Sequence, residues 1–209
     1  MEKTIFLRVL NLPLSLLVLA ASITYIFISK NSRNDYLAIL RALRTHKIQP
    51  DLASSILYLK LAEDHRFDYH WGFDFIAICR AIYRYKALNK IEGASTITQQ
   101  FVRTCIQKYD VNIFRKLHEI SLACLVSFSS KKSDIASAYL AIAYYGSGIA
   151  GPYEAMIYVN NILAPEKRDH PAALAALLKY PVPPNPSLRW RLKLINRIDH
   201  ILYKLGKYG

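Results

Sequence analysis

Apolar residues recur at every third and fourth position over most of the chain, the spacing that places them on one face of a helix. The pattern is clear from Asp35 onward, beginning with Tyr36, Leu37, Leu40 and Leu43. Further stretches with this period cover residues 73–88, 95–108, 112–128, 133–145, 171–179 and 188–205. No run of alternating β-branched residues indicates a sheet. We therefore predict an all-α fold.

Turn signals separate several of these stretches, at Asn89 to Gly93, at Gly146 to Pro152 and at Pro181 to Pro186. The chain has only 7 glycines, no internal repeat and no low-complexity tract. A length of 209 residues accommodates one domain with a sizeable core and a short appendage. We predict a single helical domain over residues 35–209, preceded by an appendage over residues 1–34.

The appendage contains 21 residues without a charge between Arg8 and Lys30. As a helix they span roughly 31 Å, the thickness of a bilayer's hydrocarbon core. A cleaved signal peptide is the alternative, but its apolar core is usually only about 7 to 15 residues long. We therefore predict a retained transmembrane helix over residues 9–29, with residues before it forming a cytoplasmic tip. Basic residues flank both ends, so charge alone leaves its orientation undecided.

The composition and net charge of the chain indicate what kind of molecule it binds. The chain is 53% apolar, high for a soluble domain, and carries a net charge of +13. Such a charge favours an anionic partner, which is nucleic acid, anionic lipid or a phosphorylated substrate. Nucleic acid is the least favoured, because the chain has no zinc-knuckle spacing, Gly-rich phosphate loop or RNA-binding aromatic signature. Three cysteines, Cys79, Cys105 and Cys124, match neither a metal site nor a disulfide framework.

A first polar cluster runs from Glu63 to Asp74. If it continues as a helix, Glu63, Phe67, His70 and Asp74 share one face at spacings of 4, 3 and 4. Two acids and a histidine beside aromatic residues indicate the wall of a cleft. A solvated helix face with ordinary ion pairs is the alternative.

A second cluster follows Gly93 and combines small hydroxyls, amides and a guanidinium. Either Ser95 or Thr96 caps a predicted helix, and Gln99 completes a capping-box pattern with Thr96. The remaining polar groups lie near a helix N-terminus, which suits an anion or a sugar. The cluster's polar side chains are Ser95, Thr96, Thr98, Gln99, Gln100 and Arg103.

A third cluster, Arg115-Lys116-Leu117-His118-Glu119, places Arg115 and Glu119 at positions i and i+4. In isolation this is a helix-surface ion pair that stabilises the helix by only about 0.2–0.5 kcal/mol.

Together, and in this order, the three clusters resemble glycosyltransferase family 51, the peptidoglycan glycosyltransferases. The family pattern Glu-Asp-x-x-Phe-x-x-His-x-Gly is matched by EDHRFDYHWG, Gly-x-Ser-Thr-x-Thr-Gln-Gln by GASTITQQ, and Arg-Lys-x-x-Glu by RKLHE. A weaker likeness extends the match over residues 50–200. One departure concerns the fourth motif, where the family's Tyr-Leu-Asn is replaced by Tyr139-Leu140-Ala141.

The resemblance implies a lysozyme-like helical glycosyltransferase domain that polymerises peptidoglycan strands from lipid II. In this reaction a sugar hydroxyl attacks the anomeric carbon with inversion and releases polyprenyl diphosphate. By position Glu63 is the general base and Glu119 the second catalytic carboxylate, which holds a divalent cation, Mg²⁺ or Mn²⁺, or orients basic side chains. The implied substrate-binding residues are Asp64, Phe67 and His70 beside Glu63, then Ser95, Thr96, Thr98, Gln99, Gln100, Arg103, Arg115 and Lys116.

The same resemblance implies a place in the bacterial cytoplasmic membrane, with the catalytic domain on the outer face. Its expected partners are lipid II, the growing lipid-linked strand, membrane lipids and other cell-wall synthases. Two rival functions stay open. One is a lytic transglycosylase or glycoside hydrolase of lysozyme-like fold, and the other is a catalytically weakened membrane protein that binds the precursor.

Between the first two motifs, residues 73–90 mix apolar and aromatic residues with Arg80, Arg84 and Lys86. This is the composition of a helix that lies in a membrane interface, although a core helix is an alternative.

Overall fold

In the computed structural model, residues 2–163 and 170–208 are described, and every regular element among them is a helix. The ten α-helices are α1 Glu2–Ile28, α2 Lys30–Thr45, α3 Ser55–Glu63, α4 Phe75–Leu88, α5 Ile97–Ile106, α6 Ile113–Ser129, α7 Lys132–Ile142, α8 Gly151–Ile162, α9 Ala172–Lys179 and α10 Leu188–Tyr208. Two short 3₁₀ turns, Pro50–Leu52 and Phe67–Tyr69, lie on either side of α3. The all-α prediction is confirmed.

Six of the helices, α4 to α7, α9 and α10, begin and end within three residues of the stretches that the apolar period predicts. Helix α8 was not predicted, because Gly151 and Pro152 signal a turn. Pro152 in fact lies in the first turn of α8, where a missing amide hydrogen leaves no helical hydrogen bond unmade.

The first polar cluster does not continue as a helix beyond Glu63. Helix α3 ends at Glu63, and Asp64 already has the non-helical angles φ −156° and ψ 74°. A 3₁₀ turn follows, His70 is extended, and Gly72 has a φ of +87°. Glu63 therefore does not share a helix face with Phe67, His70 and Asp74.

The side chain of Asp74 explains part of this difference. Its Oδ1 accepts a hydrogen bond of 3.0 Å from the amide of Ala77 and so caps α4. Its Oδ2 accepts a hydrogen bond of 2.7 Å from Nε of Arg66. Asp74 thus begins a new helix instead of extending an old one.

The helices form two compact units. The first contains residues up to Thr45 together with Arg66–Ile135, and the second contains His46–His65 together with the residues from Ala136 onward. Helix α7 begins in the first unit and continues into the second. The boundary between anchor and domain at residue 34 stays a prediction.

Within the first unit, α1 packs against α6 and α2. Its buried residues are polar and most of its exposed residues are apolar, the reverse of a helix in a soluble protein. Asn11, Ser15 and Ser22 are buried, whereas Leu17 and Phe27 are 70% and 72% exposed. Small polar residues facing protein and large apolar residues facing outward are typical of a helix surrounded by lipid. The segment Asn11–Ile28, with a mean hydropathy of 1.9, is long and apolar enough to cross a membrane.

The second unit is built around α9. All residues from Ala172 to Leu177 are fully buried, so this helix is apolar on every side and acts as a core element. Helices α3, α8 and α10 pack against it. Helix α10 contributes Leu194, Ile198 and Ile201, which are also fully buried and recur at spacings of 4 and 3.

Candidate active site

In the first unit, the N-terminus of α5 lies against a glycine of the first motif. The hydroxyl of Thr96 caps α5 by accepting from the amide of Gln99 at 3.2 Å, and it donates to the carbonyl of Gly72 at 2.7 Å. A Cβ on Gly72 would lie 2.3 Å from the carbonyl oxygen of Ala123 in α6, so only glycine permits this approach. The sequence GASTITQQ therefore places the start of α5 next to α6.

Helix α6 contributes a dense charge cluster at its own start. Both carboxylate oxygens of Glu119 are paired, Oε2 with Nη1 of Arg115 at 2.5 Å and Oε1 with Nζ of Lys116 at 2.7 Å. The Glu119 side chain is only 1% exposed. Lys116 also donates to Oε1 of Gln99 at 2.6 Å and to Oγ of Ser95 at 2.9 Å. The second and third motifs thus form one hydrogen-bonded group, which we call the Lys116 cluster: Ser95, Gln99, Arg115, Lys116 and Glu119.

The protonation of Lys116 depends on its surroundings. Burial lowers the pKa of its ammonium below 10.5, and the positive charges of Arg103 and Arg115 act in the same direction. The hydrogen bond and the charge of Glu119 oppose this change by raising the pKa. Glu119 therefore helps to keep a partly buried cation charged.

The Lys116 cluster has an unused donor. Nε of Arg115 is buried and has no hydrogen-bond partner among the described residues. Because a buried unpaired donor is unfavourable, this nitrogen marks a position where a further acceptor would be stabilising. The guanidinium geometry suits a phosphate or carboxylate oxygen at this position.

The other predicted residues of the second motif have different surroundings. Thr98 is fully buried, and its hydroxyl lies 3.3 Å from Oγ of Ser127 in α6, so it ties two helices together. Gln100 and Arg103 are half-buried. Of these three, only Arg103 acts electrostatically on Lys116.

Among the residues predicted beside Glu63, Phe67 and His70 belong to the first unit. Phe67 is 1% exposed, with the ammonium of Lys132 4.5 Å above its ring and the ring of His70 at its edge, centroid to centroid 6.2 Å. His70 is 2% exposed. Phe67 is therefore a core residue, and its contact with a substrate stays a prediction.

Glu63 and Asp64 belong to the second unit. Asp64 is buried, and its amide closes α3 by bonding to the carbonyl of Lys60 at 3.0 Å. Glu63, the last residue of α3, is 18% exposed and accepts a hydrogen bond of 2.9 Å from Nη2 of Arg197 in α10. The sequence did not identify this partner, which lies 134 positions away and is one of several basic residues in α10.

Glu119 does not present an unpaired carboxylate oxygen to a divalent cation. Both of its oxygens are already paired with cationic side chains, and the described part of the chain contains no group of three or more His, Cys, Asp or Glu able to hold a metal ion. Mg²⁺ in proteins is usually held by one or two carboxylates together with substrate phosphates. The divalent cation stays a prediction.

The fourth motif lies in a continuous helix at its substituted position. Ala141 is half-buried in α7, which continues to Ile142. Tyr145 is fully buried, and its hydroxyl donates to the carbonyl of Leu140 at 2.7 Å. Gly146 then pairs with Val182 at a distance that would exclude a Cβ. The packing around this motif therefore forms without the usual asparagine.

Comparisons with known proteins agree with the motifs. Residues 36–205 match the sequence profile of the family described as Transglycosylase. A biosynthetic peptidoglycan transglycosylase of Haemophilus influenzae is 37% identical over 167 residues, which are 78% of this chain and 65% of that protein. Penicillin-binding protein 1A of Aquifex aeolicus is 36% identical over 126 residues, 59% of this chain and 17% of that protein.

The chain spans slightly less than two thirds of the Haemophilus protein and less than a fifth of the penicillin-binding protein. The family profile nevertheless covers most of the chain and all three motif clusters. This chain belongs to the transglycosylase family.

Proposed function

We propose that this protein is a peptidoglycan glycosyltransferase, which polymerises glycan strands from lipid II and releases polyprenyl diphosphate. The Lys116 cluster carries this proposal. It combines two cations, a buried carboxylate and a capped helix N-terminus, and this combination suits a diphosphate rather than a neutral sugar.

The proposed reaction forms one bond and breaks one. The 4-hydroxyl of a lipid-linked disaccharide attacks the anomeric carbon of the growing strand, while the bond from that carbon to the pyrophosphate oxygen breaks. Glu63 accepts the proton of the attacking hydroxyl as general base. The departing diphosphate takes the bonding electrons, and the charges of Arg103, Arg115 and Lys116 stabilise it.

Glu119 has a supporting role in this proposal. Its carboxylate orients Arg115 and Lys116 through both oxygens and helps to keep Lys116 protonated. All three hydrogens of Lys116 are donated within the cluster, to Ser95, Gln99 and Glu119. A phosphate oxygen therefore either interacts with its charge or replaces the hydroxyl of Ser95.

A strand-cleaving enzyme of similar fold also uses a glutamate but expels no diphosphate, so it has no need for this cluster. The two functions are separated by incubating the purified full chain with labelled lipid-linked disaccharide and, in parallel, with finished peptidoglycan. We expect polymer from the first and no fragments from the second. Fragments without polymer identify a cleaving enzyme, and neither product identifies a binding protein. A parallel sample with a chelator tests the divalent cation.

We further propose that α1 stays attached and spans the cytoplasmic membrane, with the rest of the first unit and the second unit on the outer face. The reversed polarity of α1 supports this, because exposed leucines and phenylalanines are unfavourable in water and favourable in lipid. The outer placement rests on the proposed function, since assembled peptidoglycan lies outside the membrane.

Retention of α1 is tested by intact-mass spectrometry of protein extracted from membranes. We expect the mass of the uncleaved chain. A mature form that begins near residue 21 or 22 contradicts the proposal, because cleavage there removes most of the span.

We also propose that α4 lies in the membrane interface and holds the first unit against the bilayer. Of its 14 residues only Ala77 is buried. Ile82, Tyr83, Tyr85 and Leu88 are each more than half exposed, which a core helix does not permit. Arg80 and Arg84 pair with Glu92 at 2.8 Å, close to the exposed apolar residues.

Binding to vesicles tests this role of α4. A protein lacking residues 1–30 is expected to bind vesicles that contain anionic lipid, and Phe75→Ser with Ile82→Ser is expected to weaken binding about tenfold or more, because it removes two side chains worth about 1.5–3 kcal/mol each when fully buried. Co-sedimentation measures the bound fraction. The control is Leu192→Ser with Tyr203→Ser, which removes two apolar residues of α10 that are at least as exposed as Phe75 and Ile82. Equal binding by both variants in folded form contradicts the proposal.

A further inference from the structure

The C-terminus of α3 receives hydrogen bonds from two cations of α10. The last carbonyls of a helix have no partner within the helix and carry partial negative charge. Here Nζ of Lys204 donates to the carbonyl of Leu61 at 3.0 Å, and Nη2 of Arg197 donates to the carbonyl of Ala62 at 2.9 Å. Helix α10 therefore caps the helix that ends with Glu63.

Arg197 differs from Lys204 in reaching a side chain as well. Its Nη2 also donates to Oε1 of Glu63 at 2.9 Å. One nitrogen thus joins the main chain at residue 62 to the carboxylate at residue 63, which restricts the rotation of the Glu63 side chain. Both side chains are more than four-fifths buried, so water competes with this pair less than with a surface ion pair.

The position of Arg197 is itself fixed. Leu194, Ile198 and Ile201 anchor α10 in the core of the second unit. Near the start of α10, Nε1 of Trp190 donates to the carbonyls of Tyr180 and Pro181 at 3.3 and 3.1 Å. A guanidinium held by this rigid helix can define where a carboxylate lies.

Arg197 also borders a cavity of about 270 Å³ that Tyr180, Lys193, Asn196 and His200 line with it. Burial and the positive charges of Lys204 and Arg197 lower the pKa of His200. The cavity side of Arg197 thus meets other basic side chains, whereas its carboxylate partner is Glu63.

We propose that Arg197 is a positioning residue for Glu63, which it holds in the rotamer used for proton transfer. This inference rests on the proposed role of Glu63 as general base. Since a general base must lie within about 2.6–3.2 Å of the proton it removes, a freely rotating carboxylate is in place only part of the time. Loss of Arg197 therefore lowers the rate of the chemical step and leaves substrate binding largely unchanged.

The first test compares Arg197→Gln and Arg197→Lys in the full chain, with Arg189→Gln as the control. Arg189 lies on the same helix and is exposed, and its replacement by glutamine removes the same charge. We expect Arg197→Gln to lower kcat about tenfold or more with KM within about twofold of the wild type, and Arg197→Lys to recover part of kcat. An unchanged kcat, or a loss that lies in KM, overturns the inference.

Circular dichroism shows whether each variant folds. If Arg197→Gln does not fold, Arg197→Lys decides, because it keeps the charge and a hydrogen-bond donor. A reduced kcat with unchanged KM in Arg197→Lys supports the inference. An unchanged kcat or a raised KM overturns it.

A double-mutant cycle with Glu63→Gln tests whether Arg197 acts through Glu63. If it does, adding Arg197→Gln to Glu63→Gln lowers the residual rate by less than about twofold, because the group it positions is already lost. A tenfold further loss means that Arg197 acts independently of Glu63 and overturns the inference. Wild-type activity in Glu63→Gln alone instead overturns the role of Glu63 as base, so the two failures are distinguishable.

Discussion

Replacement of Glu63 by glutamine is expected to lower polymerisation of lipid-linked disaccharide by about a hundredfold or more, the usual contribution of a general base. Glutamine has nearly the same shape as glutamate and still offers an oxygen to the guanidinium of Arg197, so the end of α3 should stay folded. Its amide cannot accept the proton of the attacking hydroxyl. The loss therefore lies in kcat rather than in substrate binding.

This prediction is measured with purified full-length variants, by following the conversion of labelled precursor into polymer. Asp51→Asn is a suitable control, because Asp51 is an exposed acid in the second unit and loses the same charge. Binding of the precursor is measured in parallel. Substantial polymerisation by a clean Glu63→Gln preparation assigns the base to another residue.

The sequence predicted the helices well because their packing follows a single period. Apolar residues of α5, α6 and α10 recur at three and four positions, and the structure buries them on one face, as with Leu194, Ile198 and Ile201. Helix α8 was not predicted, because a glycine followed by a proline can begin a helix as well as a turn. Local propensity cannot separate these two outcomes.

The segment after Glu63 shows a different limit. Its spacing fitted a helix face, but Asp74 is used as a cap and Gly72 adopts a positive φ beside α6. The cap joins residues only three positions apart, whereas the position of Gly72 depends on α6, which is distant along the chain. Period alone carries no information on such contacts.

The sequence predicted which residues form the Lys116 cluster, but not which hydrogen bonds and ion pairs join them. The motifs named Ser95, Gln99, Arg115, Lys116 and Glu119, whereas the structure shows that Glu119 is fully paired by two cations. This pairing favours the orienting role of Glu119 over the metal-binding role. The contact of Arg197 with Glu63 could not be predicted from the sequence, because the position of Arg197 does not distinguish it from the other basic residues of α10.

The bonding of the Lys116 cluster leads to a second expected result, at high pH. If the positive charge of Lys116 stabilises the departing diphosphate, activity requires its protonated form. Burial lowers its pKa below 10.5, so activity should fall on the alkaline side earlier than for an exposed lysine. At neutral pH, Lys116→Met should lose about ten- to a hundredfold in rate, the effect of one hydrogen bond to a charged group at about 1.5–3 kcal/mol.

The fall of activity at high pH is the alkaline limb of the pH profile. Two further substitutions test whether the titration of Lys116 causes this limb. In Lys116→Arg the charge persists to a pH above about 12, so the limb should disappear or move upward even if the rate is reduced. In Glu119→Gln the negative charge that raises the pKa of Lys116 is lost and the amide oxygen is a weaker hydrogen-bond acceptor, while burial and the charges of Arg103 and Arg115 remain. The pKa therefore falls further, and the limb should move to lower pH.

The measurement is the rate of polymer formation from labelled precursor across the alkaline range, for wild type and both variants, with circular dichroism to confirm that each stays folded at every pH. Asp110→Asn is the control for Glu119→Gln, because Asp110 is an exposed acid just before α6 and is not a source of the change in the pKa of Lys116. Identical limbs in wild type, Lys116→Arg and Glu119→Gln contradict the assignment and place the titrating group outside the Lys116 cluster. A shift in opposite directions for the two variants is the result that only a charged Lys116, held protonated by Glu119, explains.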